Sequence, residues 1–199
     1  VGIVGVKLLY QDDSIQHAGV IVGMQGIAGH CFQWQTAGTY FNRAEFEENY
    51  SAVTAACMMS KRSIFDEVGG FTEDLAVAFN DIDYCMKVRT EGYRVVYEPY
   101  AVFHHYESKS RGLDTDPVKL KRFHREILYF NRRWKTFLDT GDPYYNPNQT
   151  LIKQDFSVRG LTKEEIGKPF YMFLTDGIDS EDPQSESETE SDEQKIADH

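Results

Sequence analysis

Two acids and two histidines lie close together in residues 79–112, FNDIDYCMKVRTEGYRVVYEPYAVFHHYESKSRG. Asp81 and Asp83 flank one isoleucine, His104 and His105 are adjacent, and Ser110 and Arg111 follow in a Ser-Arg-Gly turn. A carboxylate can take the proton of an attacking hydroxyl, an imidazole can ligate a divalent cation, and a guanidinium can meet phosphate oxygens with two parallel bonds. The four acid and imidazole groups would also suit a hydrolase-type metal cluster, provided that all of them converged. Helix and strand alternation point one member of each pair away from the other, which disfavours that cluster.

The elements that must position these groups follow from local pattern. Asn80 is a good helix N-cap, and Asp81 and Asp83 then fall in a first turn where the dipole favours negative charge. Ile82, Cys85, Met86 and Arg89 make a mostly apolar stripe at helical spacing, and Gly92 supplies a left-handed stop. This places Asp81 at the rim. Residues 93–97 read as a strand, Glu98-Pro99 breaks it, and residues 101–103 resume as a second strand leading into His104-His105. Asp81-Ile82-Asp83 spells an Asp-x-Asp pattern, but acids that hold a donor-bound metal should follow a buried strand rather than open an amphipathic helix.

Upstream, residues 1–10 form an apolar run, residues 11–14 a turn by composition, and residues 15–23 resume with β-branched residues, so a hairpin is expected. Asp12-Asp13 is read as turn chemistry in preference to a metal motif. Gln16-His17 reads as a satisfied hydrogen-bonding pair near a close backbone contact. Residues 24–50, with His30, Trp34, Tyr40 and Phe41, lack a clean period and suggest a long functional loop or a partly helical excursion, whose aromatics either stack on sugar rings or pin the loop to the core. Residues 53–59 look like a strand buried on both faces, and Ser60 a cap for the short helix that follows. Gly69-Gly70 permits a tight reversal in which the backbone can approach a ligand. Asp116-Pro117 opens a helix with Leu120, Phe123, Ile127, Phe130 and Trp134 on one face, and basic residues on the others.

Composition bounds the function classes. The chain is 41% hydrophobic and 14% aromatic, enough for a core of ordinary size. Of the formal charge of −11, ten acids and one lysine from Asp176 onward account for −9, leaving −2 over residues 1–175. A nearly neutral body lacks the concentrated basic surface of a nucleic-acid binder. Residues 176–199 are acidic and serine-rich and are expected to be disordered. Cys31, Cys57 and Cys85 have no CxxC spacing and lie in apolar contexts, which points to reduced thiols and a cytoplasmic compartment. No apolar run reaches the ~18 residues of a membrane span.

GGFTEDL at 69–75, the 79–112 stretch and SIQHAGVIVG at 14–23 occur in an order that resembles the C-terminal half of a family 2 glycosyltransferase, most like the bacterial transferases that build rhamnose-containing and other surface polysaccharides. The resemblance covers residues 1–159. It implies an α/β partial GT-A fold, a mixed sheet with flanking helices, whose N-terminal nucleotide-binding half is absent. Residues 1–159 would be the acceptor-side half, 160–175 a C-terminal extension and 176–199 the tail. A first residue of valine leading directly into a strand fits a chain that begins inside a larger protein. Transfer would run from a nucleotide-diphosphate sugar to a glycan or lipid-linked acceptor, with inversion. Asp81 would be the base, and His104 a ligand to Mn²⁺ or Mg²⁺ on the diphosphate. Ser110 and Arg111 would lie near the phosphates, with Gly69, Gly70, Asn80 and Trp34 on the acceptor side and His105 supporting. Peripheral contact with the inner membrane face is compatible with the basic helix. The isolated chain would be inactive. The competing class is a non-catalytic carbohydrate-binding or assembly module that keeps the fold.

Overall fold

A computed structural model describes residues 1–106 and 117–160. Ser110, Arg111, the capping acid Asp116, nearly all of the expected 160–175 extension and the acidic tail lie outside the described residues.

The sheet is built on one parallel pair. Strand β1 (Ile3–Leu9) runs beside β7 (Val95–His104), with Ile3 opposite Val95 and Leu9 opposite His104. Both strands therefore finish at the same end. On its other side β1 is shared: β2 (Ile15–His17) pairs antiparallel with its last residues and β6 (Met58–Ser60) with Ile3 to Gly5. β5 (Glu48–Tyr50) pairs antiparallel with the start of β7, giving the order β2-β1-β7-β5 with β6 off that path. A separate hairpin joins β3 (Val20–Val22) to β4 (Ala28–His30). The expected hairpin at the N-terminus is thus β1–β2, while Val20–Val22 leaves for the second sheet.

Helix α1 (Arg62–Glu67) follows β6, α2 (Asn80–Thr90) precedes β7, and α3 (Pro117–Arg133) and α4 (Lys135–Thr140) follow it. The connection from α2 to β7 is residues 91–94, and so short a link folds the helix back antiparallel along the strand. Close contacts trace its course. A Cβ added at Gly2 would stand 2.5 Å from Val88, and one at Gly5 2.5 Å from Val53, a residue whose backbone meets the Cys85 thiol. Passing from Val88 to Cys85 to Asp81, α2 moves along β1 toward the strand's carboxyl end. Ile82, Tyr84, Cys85, Met86 and Val88 are all buried in the larger core cluster with Ile3, Val53, Val95 and Phe130. Burial of this kind stabilises by about 1.5–3 kcal/mol per large side chain. A second cluster, including Phe32, Tyr50, Tyr97 and Phe156, packs the region of the 24–50 loop. No helix among the described residues is long and apolar enough to cross a membrane.

Several local expectations are corrected. The break at Glu98-Pro99 does not split β7; it shifts the register, with Val6 opposite Glu98 and Lys7 opposite Val102, because proline cannot donate to the ladder and three residues bulge out. Residues 53–57 are not a buried strand: Ala55 and Ala56 are exposed, and the chain turns there so that Thr54 and Ala55 can donate to the Asp81 carboxylate. Ser60 does not cap α1. Its hydroxyl donates to the Gly2 carbonyl at 2.9 Å and accepts from Tyr84 at 2.7 Å, so it ties the helix layer to β1. Asn80 is likewise not the cap of α2, since it lies inside the helix after Phe79, whose φ of 61° supplies the turn and whose carbonyl accepts from Asp83 N–H. Residues 24–50, by contrast, match the partly helical alternative, with two 3-10 turns at Met24–Gly26 and Tyr40–Glu45, and also carry β4 and β5. Arg133, one of the basic residues of α3, stays exposed and also reaches buried Asp83 at 3.0 Å.

Candidate functional site

Asp81 sits half-buried in the first turn of α2. Its Oδ2 accepts from Thr54 Oγ1 at 3.2 Å and from Ala55 N–H at 3.0 Å, and its Oδ1 accepts from its neighbour Ile82 N–H at 2.9 Å. All three are donors, which suits an ionised carboxylate held in a fixed orientation. The Phe79 backbone beside it occupies the left-handed region, a conformation that costs a bulky residue about 1–3 kcal/mol and that concentrates at functional turns.

Asp83, two residues on, has a different environment. It is fully buried and accepts from Trp134 Nε1 at 2.9 Å and Thr72 Oγ1 at 2.6 Å, with Arg133 Nε at 3.0 Å and Lys87 Nζ at 3.8 Å. It ties α2 to the 71–79 segment and to the end of α3. Glu126 does similar work nearby, accepting from Val77 and Ala78 N–H at 3.1 and 3.0 Å. The two acids of the Asp-x-Asp pattern therefore face different surroundings, and Asp83 is structural.

The histidines emerge at the carboxyl end of the parallel pair. His104, opposite Leu9, is exposed, and its Nε2 lies 2.7 Å from Asp13 Oδ1 in the turn after β1. His105 donates its backbone N–H to the Leu9 carbonyl at 2.9 Å. Gln16 meets it at two points, backbone and side chain: Gln16 Nε2 donates to the His105 backbone carbonyl at 3.2 Å, and Gln16 Oε1 stands 2.7 Å from His105 Nδ1. A carbonyl can only accept, which fixes the amide orientation; Nδ1 must therefore carry the proton, and neutral His105 keeps a lone pair on Nε2. Of the Gln16-His17 pair expected to be satisfied, Gln16 is, while the buried Nε2 of His17 has no hydrogen-bond partner among the described residues. His17 points inward, fully buried, with Nδ1 3.3 Å from His30 Nδ1; burial and the neighbouring imidazole push its pKa well below the ordinary value. The close backbone contact expected nearby is Gly19, where a Cβ would strike the Tyr50 ring at 2.4 Å.

Gly69 and Gly70 end α1 with φ of 73° and 63°. Gly70 N–H donates to the Phe65 carbonyl at 2.8 Å, and a Cβ there would stand 2.7 Å from the Phe65 ring, so packing adds to the positive φ at the second glycine, while at Gly69, where a Cβ would meet open space, the positive φ alone favours glycine. The Gly70 carbonyl accepts from Lys87, six residues beyond Asp81 on α2, or about 9 Å along the axis. Trp34 lies at the carboxyl end of β1, its ring stacked on Tyr10 at 3.9 Å between centroids. Asn80 shares the first turn of α2 with Asp81. Asp81, Asn80, Trp34, His104 and His105 thus come to one end of the sheet, while the contacts of Gly69 and Gly70 run to Lys87 and the end of α1. Tyr10, Asp13, Gln16 and Thr54 join that end too. Only Asp13 and Gln16 had signals in the sequence, as a turn acid and a buried polar residue; the others depend on contacts between distant segments. Among the described residues no three His, Cys, Asp or Glu side chains form a metal cluster.

No family model matches the chain, and no solved structure does. It is 54% identical over 160 residues to the uncharacterized protein y4gI of Sinorhizobium fredii, covering 78% of this chain and 17% of that protein. It is 37% identical over 163 residues to the O-antigen biosynthesis protein RfbC of Myxococcus xanthus, covering 80% of this chain and 12% of that protein. A third relative, 28% identical over 110 residues, is the N-acetylglucosaminyl-diphospho-decaprenol L-rhamnosyltransferase of Mycobacterium tuberculosis, with 54% of this chain and 35% of that protein covered. The chain spans less than a fifth of the first two relatives. With a mixed α/β architecture and candidate groups gathered at the carboxyl end of its parallel strands, it is similar to proteins named for O-antigen biosynthesis and rhamnosyl transfer.

Proposed function

We propose that this chain is the acceptor-side part of a GT-A type, family 2 glycosyltransferase that works in surface-polysaccharide synthesis. The protein that carries it would move a sugar from a nucleotide-diphosphate donor to a glycan or lipid-linked acceptor. The observation that supports this most is the arrival of Asp81 and the His104-His105 pair at one end of the sheet, where open α/β sheets bind their ligands. The relatives named for rhamnosyl transfer and O-antigen biosynthesis favour the same chemistry.

In this reading Asp81 takes the proton of the acceptor hydroxyl as the bond to the anomeric carbon forms, and the product is inverted at that carbon. Three donors hold the carboxylate in a single orientation, so little rearrangement is needed as the proton arrives. Asn80 and Trp34 line the acceptor side, with Gly69 and Gly70 shaping the approach to α2. A divalent cation, Mn²⁺ or Mg²⁺, would neutralise charge on the departing diphosphate. The residues present fit part of such a site. Asp13 Oδ1 and His104 Nε2 stand 2.7 Å apart, close to the roughly 3 Å between adjacent ligands of an octahedral ion with bonds of about 2.1 Å. His104 and Asp13 would hold the ion. Donor binding would be completed by residues other than those described here, including Ser110 and Arg111, at the cytoplasmic face of the membrane.

The deciding experiment is transfer by the complete polypeptide, assayed with nucleotide-activated rhamnose and a lipid-linked saccharide acceptor. Asp81→Asn should abolish transfer while donor binding persists, and residues 1–199 alone should turn over little or no donor. Unchanged turnover by Asp81→Asn would remove the catalytic assignment.

A further inference from the structure

Trp34 is 62% exposed although it is one of two tryptophans in the chain and could bury a large apolar surface. Its backbone adopts φ of 69°, a left-handed conformation that costs a bulky residue about 1–3 kcal/mol. The fold keeps it there with ladder-like bonds to β2: Trp34 N–H donates to the Ile15 carbonyl and Ile15 N–H to the Gln35 carbonyl, both at 2.8 Å. One face of the indole lies flat on Tyr10, with an interplanar angle of 5°. Tyr10 is itself held, since its hydroxyl accepts from Gln33 Nε2 at 2.5 Å and Gln33 Oε1 accepts from Gln154 Nε2 at 2.8 Å. Three separate segments thus fix a two-ring stack whose outer face is turned to solvent. Order of this kind lowers the entropy a ligand must overcome on binding.

We propose that the outer face of Trp34, backed by Tyr10, is a stacking subsite for a pyranose ring of the acceptor, distinct from the point at which Asp81 acts. This rests on the reading of the chain as a saccharide-handling protein and adds where a non-reacting sugar unit is held. The C–H face of a neutral pyranose matches a flat indole, whereas the surroundings disfavour the other flat ligand at hand, a nucleotide. Tyr10 belongs to the turn that carries Asp12 and Asp13, with Asp13 N–H donating to the Tyr10 carbonyl at 3.2 Å. The nearest lysine in β1, Lys7, is engaged by Glu45 at 2.5 Å. Asp12 beside the stack repels a diphosphate that carries no metal, while its oxygens can accept from sugar hydroxyls; Asp13 is reserved for the ion of the donor site.

The test is saturation-transfer NMR on the 199-residue chain with methyl α-L-rhamnopyranoside, a rhamnose trisaccharide and uridine diphosphate as probes. Ring C–H protons of the trisaccharide should receive saturation, and Trp34→Ala should weaken its binding about tenfold, the equivalent of one stacked ring. Trp34→Phe should restore part of the signal and Tyr10→Ala should lower it, with the melting temperature of Trp34→Ala near that of the parent as the folding control. Equal trisaccharide binding by Trp34→Ala, no saccharide signal from the parent chain, or preferential saturation of uridine diphosphate lost in Trp34→Ala would each overturn the subsite. Asp81→Asn should leave the saccharide signal intact. Loss of transfer in that variant with the signal retained separates the two assignments, and an active transferase indifferent to Trp34→Ala in both KM and binding would refute the platform alone.

Discussion

Asp81 and Asp83 belong to the same helical turn, and exchanging each for a neutral residue should give opposite outcomes. Asp83 accepts two hydrogen bonds, from Thr72 at 2.6 Å and Trp134 at 2.9 Å, and pairs with the Arg133 guanidinium at 3.0 Å. Asp83→Ala leaves both donors and the Arg133 charge without their partner, and breaking a buried charged network in this way costs about 3–5 kcal/mol. Against a total stability of about 5–15 kcal/mol, that brings the domain near its limit. Asp83→Asn should cost less, about 1–2 kcal/mol, because the amide oxygen can still meet Trp134 and Arg133 while the Thr72 hydroxyl reverses to accept. Asp81→Asn loses one of three bonds at a half-exposed site and should cost about 1 kcal/mol. The assay is urea unfolding of the 199-residue chain followed by tryptophan fluorescence, in which Asp83→Ala should lower the midpoint by about 1–3 M. Transfer should show the reverse order. Asp81→Asn should lose about 10²–10⁴-fold in the complete polypeptide, the contribution of a general base, whereas Asp83→Asn should retain transfer in proportion to its folded fraction. A wild-type midpoint for Asp83→Ala would refute the buried hub, and wild-type transfer by Asp81→Asn would refute the base.

Three further outcomes follow from packing and burial. Gly70→Ala should destabilise by about 1–3 kcal/mol, since the new methyl meets the Phe65 ring at 2.7 Å on a backbone of φ 63°; thermal melting checks this. His17 is held neutral by burial, so its folded pKa lies below that of the unfolded chain. Its stabilising contribution is then complete above about pH 6.5 and is lost as pH falls, by up to about 1.4 kcal/mol per unit, until the folded group itself protonates. Urea midpoints between pH 7.5 and 5.5 should fall for the parent chain and fall less for His17→Gln. Alkylation of the native chain with iodoacetamide, read by mass spectrometry, should label Cys57 well before Cys31 and Cys85, because those two thiols are buried and burial pushes both of their pKa values up.

The elements legible in the sequence were those with a strong local signal. Helix α2 announced itself through its stripe and Gly92, and α3 through Pro117 and its apolar repeat. The errors fell where a distant group decided the local structure. Residues 53–57 read as a strand by composition, but the Asp81 carboxylate, more than twenty positions on, draws Thr54 and Ala55 into a turn. Ser60 had the chemistry of a cap, and Gly2 and Tyr84 took its hydroxyl instead. Pro99 suggested two strands, yet pairing with β1 on either side was worth more than one missing donor. Asp81 and His104 were visible as residue types, while their partners Thr54 and Asp13 were set by tertiary contacts that no local pattern contains.

One topological fact gathers the candidate groups and separates the glycines from them. Because β1 and β7 are parallel, the residues that follow them, Tyr10 and Asp13 on one side and His104 and His105 on the other, emerge together. Because α2 runs back along β7, its first turn rather than its last reaches that end, bringing Asp81 with the positive end of the helix dipole behind it. β6 is antiparallel to β1 and ends at Ser60, opposite Ile3, so α1 starts at the amino end of the sheet. Its terminating glycines then meet α2 at Lys87, near the helix's last turn. A ligand seated between Asp81 and the histidine pair would therefore lie over the carboxyl edge of β1, with Trp34 beyond Tyr10 on one flank. The Gly69-Gly70 turn would act on it only by fixing where α2 lies.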